Sequence, residues 1–266
     1  MAQIIRSSKP GSRWTANELH AYHITIVNQT ANVFFGHHPG HIDHLDQLLL
    51  NSPPDAPPPG ASDITRRFLF SLAAAARMNE ETSVDIFAQI LLHVMGFDRD
   101  PDHTSLFTFM QRRIGLTICG KWEYAIPDVS LVDRILQPHI FLIVHESKTI
   151  YNPRDPEPQL IAEAIAAYQT NNKTRITTGR EPLDAMTIPG ITMVGTWPTF
   201  YLVQVTRHLK DSITLGSFPE HETRVRKFSP MYHGSPSMRN LQNRRTVLRC
   251  YDRFCRLARE HWSTFI

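Results

Sequence analysis

The spacing of apolar residues along the chain predicts alternating helices and strands. From residue 84 onwards, apolar side chains recur every three or four positions, which predicts a helix capped by Thr82 or Ser83. A good helix-forming segment at 64–77 precedes it, and apolar segments separated by turn residues follow it. The predicted order is helix, strands, helix, two strands and helix, so the fold class is α/β. The strand-like segments are 106–110, 114–120, 122–133, 139–149, 190–196 and 199–206, and the later helices begin near 157 and 238.

Two features set the ends of the chain apart from this central pattern. Thr15 carries a helix-cap signal before a short helical turn, an alternating strand-like stretch and the pair Phe34 and Phe35, which predicts a small element packed on the main body. The five prolines of 51–63 favour an extended, semi-rigid connector or exposed loop. The predicted division is an N-terminal segment and connector at 1–63, a core at 64–206 and a basic helical extension at 207–266.

Composition places the chain among globular proteins. Of its 266 residues 41% are apolar and 20% are charged, unlike disordered or membrane chains. The first residues lack the apolar region of a signal peptide, and no run approaches the roughly 18 apolar residues of a membrane span. Three cysteines without CxxC spacing indicate neither a disulfide framework nor a cysteine zinc site. We therefore expect an intracellular protein of the cytoplasm or nucleus, with no membrane partner.

The formal charge of +3 is unevenly distributed. Residues 207–266 carry a net charge of +7, whereas residues 1–206 carry −4. Such a basic segment suits a polyanion, although arginines on an exposed helix face are also ordinary solvated surface. The candidates for nucleic-acid binding are Arg244, Arg245, Arg249, Arg253 and Arg256.

The most apolar strand, 140–144, ends on charged residues. If it forms a hairpin with the preceding strand, pairing Asp128 with Glu146 places the turn at Gln137. In that register the two Cβ atoms lie about 4.5 to 5.5 Å apart, and Lys148 shares the face of Glu146. His145 then points to the far face of the sheet, where we expect a satisfied histidine rather than a general base. Three charged groups are predicted to converge.

Two carboxylates at the end of a buried sheet repel each other unless a cation neutralises them. A divalent metal with oxygen ligands resolves that conflict, and Mg²⁺ or Mn²⁺ leaves positions open for phosphate oxygens. Lys148 can then orient the attacking water and stabilise developing negative charge. The alternative is an ordinary ion pair at a strand end.

Pro127-Asp128 followed by Glu146-Ser147-Lys148 resembles the motif of the PD-(D/E)XK nuclease superfamily. The resemblance covers about residues 64–206 and implies a restriction-endonuclease-like core of helix, three-stranded meander, helix and strand. It also implies metal ligation by Asp128, Glu146 and the carbonyl of Ser147. The superfamily often adds a polar residue on the following helix, for which Gln159, with Glu163 one turn later, fits, and a glutamate on the first helix, for which Glu81 or Glu80 is nearest. The chain also resembles an uncharacterised group of fungal proteins.

The function expected from this resemblance is divalent-metal-dependent hydrolysis of phosphodiester bonds in DNA or RNA. Asp128, Glu146, Lys148 and Gln159 are the predicted catalytic residues. The alternative is an inactive nuclease fold that serves as a nucleic-acid-binding or protein-interaction module. Whether the chain forms a homo-oligomer is left open.

Other features suggest other chemistry less strongly. His37, His38, His41 and His44 could bind zinc, but a polar surface loop broken by proline and glycine is the simpler explanation for them. Trp197, Phe200 and Tyr201 could stack on bases, although aromatic residues of strands are usually core. Serine-hydrolase, kinase and dehydrogenase motifs are missing from the sequence.

Overall fold

The computed structural model describes six stretches of the chain. At positions 81 and 146 it describes the backbone but not the side chain. These stretches are residues 6–36, 40–77, 81–99, 106–133, 138–146 and 155–265. Within them, no helix combines the length and the apolar character needed to cross a bilayer.

The helices begin where local sequence provides caps. Thr15 and Glu18 form the two reciprocal hydrogen bonds of a capping box, and the Ser62 hydroxyl accepts a hydrogen bond from the Thr65 amide. The Asp155 carboxylate accepts from the Glu157 amide at 3.0 Å. The helices are α1 (Ala16–Ala21), α2 (Ala31–Phe35), α3 (Gln47–Asn51), α4 (Asp63–Ala75), α5 (Glu81–Val94), α6 (Glu157–Thr177), α7 (Arg207–Leu215) and α8 (Leu241–Trp262). The predicted cap at Thr82 or Ser83 is wrong, because both residues lie inside the first turn of α5.

A mixed seven-stranded sheet forms the centre of the molecule, so the predicted α/β class is confirmed. The strands are β1 (Ile24–Asn28), β2 (Phe107–Met110), β3 (Ile114–Ile118), β4 (Lys121–Ala125), β5 (Val129–Val132), β6 (Ile140–Glu146), β7 (Ala185–Val194), β8 (Trp197–Thr206) and β9 (Thr223–Phe228). Their order in the sheet is β1-β9-β8-β7-β6-β5-β2, and β3 and β4 form a separate hairpin. The pairs β1 with β9 and β6 with β7 are parallel, and the other neighbours are antiparallel.

The middle of the chain follows the order α5, β2, β5, β6, α6 and β7. The strands β2, β5 and β6 form an antiparallel meander, and α6 crosses over to β7, which lies parallel to β6. The hairpin of β3 and β4 is inserted within the meander. The segment 122–133, predicted as one strand, divides into β4 and β5 around Pro127, whose missing N–H cannot join a ladder.

Strand β9 was not predicted, and it joins the ends of the chain to the core. It lies between β1 and β8, so one sheet takes strands from all three predicted segments. The connector at 51–63 is also anchored, because Asp55 forms ion pairs with Arg77 and Arg239.

The helices α6 and α8 cover opposite faces of the sheet. On β8, Phe200 packs against Tyr251 and Phe254 of α8, whereas the next residue, Tyr201, donates a hydrogen bond to Glu157 of α6. Phe200, Tyr201 and Trp197 are buried in this core, in agreement with the expectation that strand aromatics are core rather than stacking platforms.

Candidate active site

The pairing of β5 with β6 decides which side chain faces Asp128. Val129 pairs with Val144 and Leu131 with Leu142, so the ladder continued by one step puts Asp128 opposite His145. The predicted pairing of Asp128 with Glu146 is therefore wrong by one residue. The prediction failed because β5 is buried at all four positions, so its apolar pattern does not select a register, and the pairing shifts between Leu131 and Val132.

Asp128 stands directly before β5, at the end of the sheet where β6 finishes. Its backbone carbonyl accepts a hydrogen bond from the Gln111 amide at 2.9 Å, which holds it beside the end of β2. Its side chain is 16% exposed, and Oδ2 lies 3.6 Å from Nδ1 of His145. The carboxylate is thus fixed in place while still reached by solvent.

His145 lies between carboxylates of two different elements. Its Nδ1 is 3.0 Å from Oε1 of Glu163 on α6, in addition to the contact with Asp128. The side chain of Gln159 on α6 lies close enough to help raise the pKa of His145. The prediction that His145 points away from the site is wrong, and Gln159 and Glu163 lie together at the site, one helical turn apart.

Burial and charge both act on this cluster. Burial by itself lowers the pKa of His145, but the carboxylates of Glu163 and Asp128 raise it to about 9. Burial raises the pKa of Glu163, and His145 opposes that change. Because the pKa values of His145 and Glu163 are both raised, the pair is expected to hold a proton at neutral pH. The second oxygen of Glu163, Oε2, is buried and has no hydrogen-bond partner among the described residues.

An open cleft of about 480 Å³ adjoins this cluster. It is lined by Trp14, Asp155, Pro158 and Gln159, among others. The Gln159 amide donates a hydrogen bond to the Ser12 carbonyl at 2.6 Å, which ties α6 to the short turn Gly11–Arg13. The cleft gives solvent and solutes a path to the first turns of α6.

Several predicted site residues lie at the limit of the described chain. Glu146 ends β6, where its backbone pairs with Met193 of β7, and Glu81 is the first residue of α5. The side chains of Glu146 and Glu81, together with Glu80, Ser147 and Lys148, lie outside the described residues. Their roles stay predictions.

The described residues alone do not form a complete metal site. Among them, no group of three or more histidine, cysteine, aspartate or glutamate side chains could hold an ion. Asp128 does supply hard carboxylate oxygens at the end of the sheet, and the unpartnered oxygen of Glu163 lies next to the same histidine. Carboxylate oxygens are of the type that Mg²⁺ and Mn²⁺ prefer, so the metal stays a prediction for this end of the sheet.

The arginines of α8 do not act as one group. Arg244 is fully buried and donates hydrogen bonds to three backbone carbonyls, so its predicted contact with nucleic acid is wrong. The reason is that one side of α8 packs into the core, and Arg244 falls on that side. Arg253 lies over the Phe35 ring at 5.9 Å, and Arg256 pairs with Asp252 at 3.2 Å.

The exposed arginines of α8 are Arg245, Arg249 and Arg256. They belong to the helix that covers one face of the sheet, whereas Glu163 and Gln159 belong to α6 on the other face. In the histidine-rich stretch, the His41 amide bonds to Asp252, and His37 and His38 lie outside the described residues.

Comparison of the sequence with models of known protein families found no match, and neither did comparison with curated proteins.

Proposed function

We propose that the protein is a divalent-metal-dependent phosphodiester hydrolase with a PD-(D/E)XK-type site. The observation that supports this most is that Asp128 and the backbone of Glu146 lie at the same end of the sheet, although the register sets His145 rather than Glu146 opposite Asp128. The surrounding order of helix, antiparallel meander, helix and parallel strand agrees with the core that the motif implies. The polar residues of α6, Gln159 and Glu163, lie at that same end.

Each residue has a distinct part in this proposal. The carboxylates of Asp128 and Glu146, the Ser147 carbonyl and Glu81 hold Mg²⁺ or Mn²⁺. The metal, when bound, polarises the phosphate and lowers the pKa of a bound water. Lys148 positions the attacking water and stabilises negative charge on the phosphate. Gln159 orients the His145 ring at the edge of the site.

A second candidate is a nuclease fold that binds without cleaving. It is favoured by the contacts of His145, whose cationic form neutralises Asp128 and Glu163 with no metal. In that case the fold acts as a nucleic-acid-binding or protein-interaction module.

Cleavage of labelled single-stranded and duplex DNA and RNA separates the two candidates. With Mg²⁺ or Mn²⁺ we expect the wild-type protein to cleave at least one substrate, and Lys148→Ala or Asp128→Asn to reduce the rate at least about 100-fold. Lys121→Ala, which removes an exposed lysine of β4, is the matched control and should keep the wild-type rate.

Two results would decide against hydrolysis at this site. Cleavage that persists in EDTA or in Lys148→Ala would assign the activity to another site or a contaminant. Binding with no metal-dependent cleavage of any substrate would favour the second candidate.

A further inference from the structure

The hairpin of β3 and β4 carries an aromatic pair on its outer face. Trp122 and Tyr124 are 57% and 42% exposed, and their rings meet edge to face at 6.2 Å. The opposite face of the hairpin, with Leu116 and Ile118, is buried in the core. The two aromatic rings are therefore on the surface although their strands are firmly packed.

Trp122 is held in its exposed position by its neighbours. A Cβ atom at Gly115, on the paired strand, would lie 2.3 Å from the indole ring, so only glycine leaves room for the ring to lie across that strand. The ammonium of Lys173 lies 5.7 Å from the ring centroid. The other three tryptophans, Trp14, Trp197 and Trp262, are buried. Trp122 thus presents a largely exposed ring in a defined position beside the Lys173 ammonium.

Two clefts of about 320 Å³ and 530 Å³ flank this platform and share Lys173 and Thr177 of α6. Together they form what we call the α6 groove, with cationic lining residues at both ends. Among the described residues that line it there is no aspartate or glutamate, although Asp184 and Asp211 pair with two of its cations from outside. The cations of the groove are Arg112, Arg113, Lys173, Arg207 and Lys210.

The hairpin is also fixed to α6. The Gln169 side chain hydrogen-bonds to both backbone groups of Thr117. It accepts from the Thr117 N–H at 2.7 Å and donates to the Thr117 carbonyl at 3.1 Å. The cations on α6 therefore keep a defined position relative to the aromatic pair on the hairpin.

We propose that the α6 groove binds single-stranded nucleic acid, with Trp122 stacking on a base and Arg113 and Lys173 contacting phosphates. Exposed aromatic rings among cations are the general means of binding unpaired bases, whose faces a duplex hides. The choice of nucleic acid as the polyanion rests on the proposed function. Lys173 lies 14 residues beyond Gln159, which is about 21 Å along the helix, so groove and candidate active site are separate places on α6.

Binding is measured on the full chain in EDTA, so that cleavage plays no part. The probes are a fluorescein-labelled twelve-nucleotide oligothymidylate, the matching duplex, and polyglutamate as a competitor. We expect the single strand to bind more tightly than the duplex and to quench the fluorescence of Trp122. Trp122→Ala should weaken binding about tenfold or more, and Trp122→Phe, which retains a stacking ring, should stay within about threefold of wild type.

The contribution of the groove cations is measured separately, through the salt dependence of binding. Lys173→Ala should lower the slope of log affinity against log salt by about 0.7. Lys121→Ala removes an exposed cation of the same hairpin that does not line the groove, and it should change affinity less than about twofold.

Three outcomes would contradict single-strand binding in the α6 groove. They are equal affinity of Trp122→Ala and wild type, tighter binding of the duplex than of the single strand, and displacement of the labelled strand by polyglutamate as effectively as by unlabelled oligonucleotide. These outcomes are independent of catalysis. If Trp122→Ala loses binding and the wild-type protein cleaves nothing, the groove proposal stands and the hydrolase proposal fails. If cleavage depends on Lys148 but Trp122→Ala binds like wild type, the hydrolase proposal stands and the groove proposal fails.

Discussion

At the scale of single residues, the guanidinium of Arg244 is held inside the protein by backbone carbonyls. It donates hydrogen bonds to the carbonyls of Met238, Leu49 and Ser52, at 3.0, 2.9 and 2.7 Å. Burial lowers its pKa to about 10, which leaves it charged at neutral pH. One charged side chain thus joins α3 and the connector to α8.

Arg244→Ala should therefore destabilise the protein by about 3 kcal/mol, because three carbonyls lose a charged donor in the interior. Arg245→Ala, which truncates the exposed neighbour on the same helix, should cost less than about 0.5 kcal/mol. Urea unfolding of both variants measures the difference. Equal stability of the two variants would show that the buried contacts of Arg244 add nothing.

At the scale of elements, α6 is joined to the rest of the protein by amide side chains near its end. Asn171 accepts from the Ile140 N–H at 2.7 Å and donates to the Ile140 carbonyl at 3.0 Å. Asn172 makes the same double contact with Leu183, as Gln169 does with Thr117. These pairs act like added strand partners, so α6 fixes the positions of β3, β6 and the segment before β7.

Replacing Asn171 by alanine should cost about 2 to 4 kcal/mol, because Asn171 is fully buried and both backbone groups of Ile140 lose a partner. Gln169→Ala is the matched control on the same helix, and it should cost about 1 kcal/mol because its site is partly reached by water. Thermal and urea unfolding give the two values. A smaller loss for Asn171→Ala than for Gln169→Ala would contradict this ranking.

At the scale of the whole molecule, the two ends of the chain complete the central sheet. Strand β1 comes from the N-terminal segment, and β9, which lies between β1 and β8, comes from the C-terminal segment. The C-terminal segment also supplies α8, whose Phe254 and Trp262 are buried against the sheet. The sheet face under α8 is apolar, so it depends on that helix to be shielded from water.

Residues 64–206 expressed alone should therefore fail to unfold cooperatively. The fragment would leave the edge of β8 unpaired and expose the apolar face that α8 covers. Near-ultraviolet circular dichroism during heating, with the full chain as control, checks this expectation. A sharp cooperative transition in the fragment would mean that the core folds independently of both ends.

Features that depend on neighbours in sequence could be predicted. The cap at Thr15 could be predicted because a cap and its helix lie within four residues of each other, and the apolar pattern located most of the central elements, although the cap of α5 was misplaced. Strand β9 was missed because its sequence, TRVRKF, carries three cations, and only Val225 within it is a fully buried apolar residue.

The candidate site also has residues that the sequence pointed to and residues that only the structure revealed. The sequence pointed to Asp128 and to the helix residues Gln159 and Glu163, which lie near one another, whereas Glu146 and Lys148 stay predictions. The contact of His145 with Asp128 could not be predicted, because a one-residue change of register exchanges the side chain that faces Asp128. The stacking platform was missed as well, since the exposure of Trp122 depends on Gly115 across the hairpin.

The sequence by itself determined the α/β class, the position of most central helices and strands and the residue types available for chemistry, because these follow from short-range hydrogen bonds and the periodicity of apolar residues. Only the tertiary structure decided that Arg244 is buried, that His145 lies between two carboxylates and that β9 completes the sheet. Each of these depends on contacts between residues far apart in the chain. Such contacts are selected by packing of the whole molecule, which no local pattern encodes.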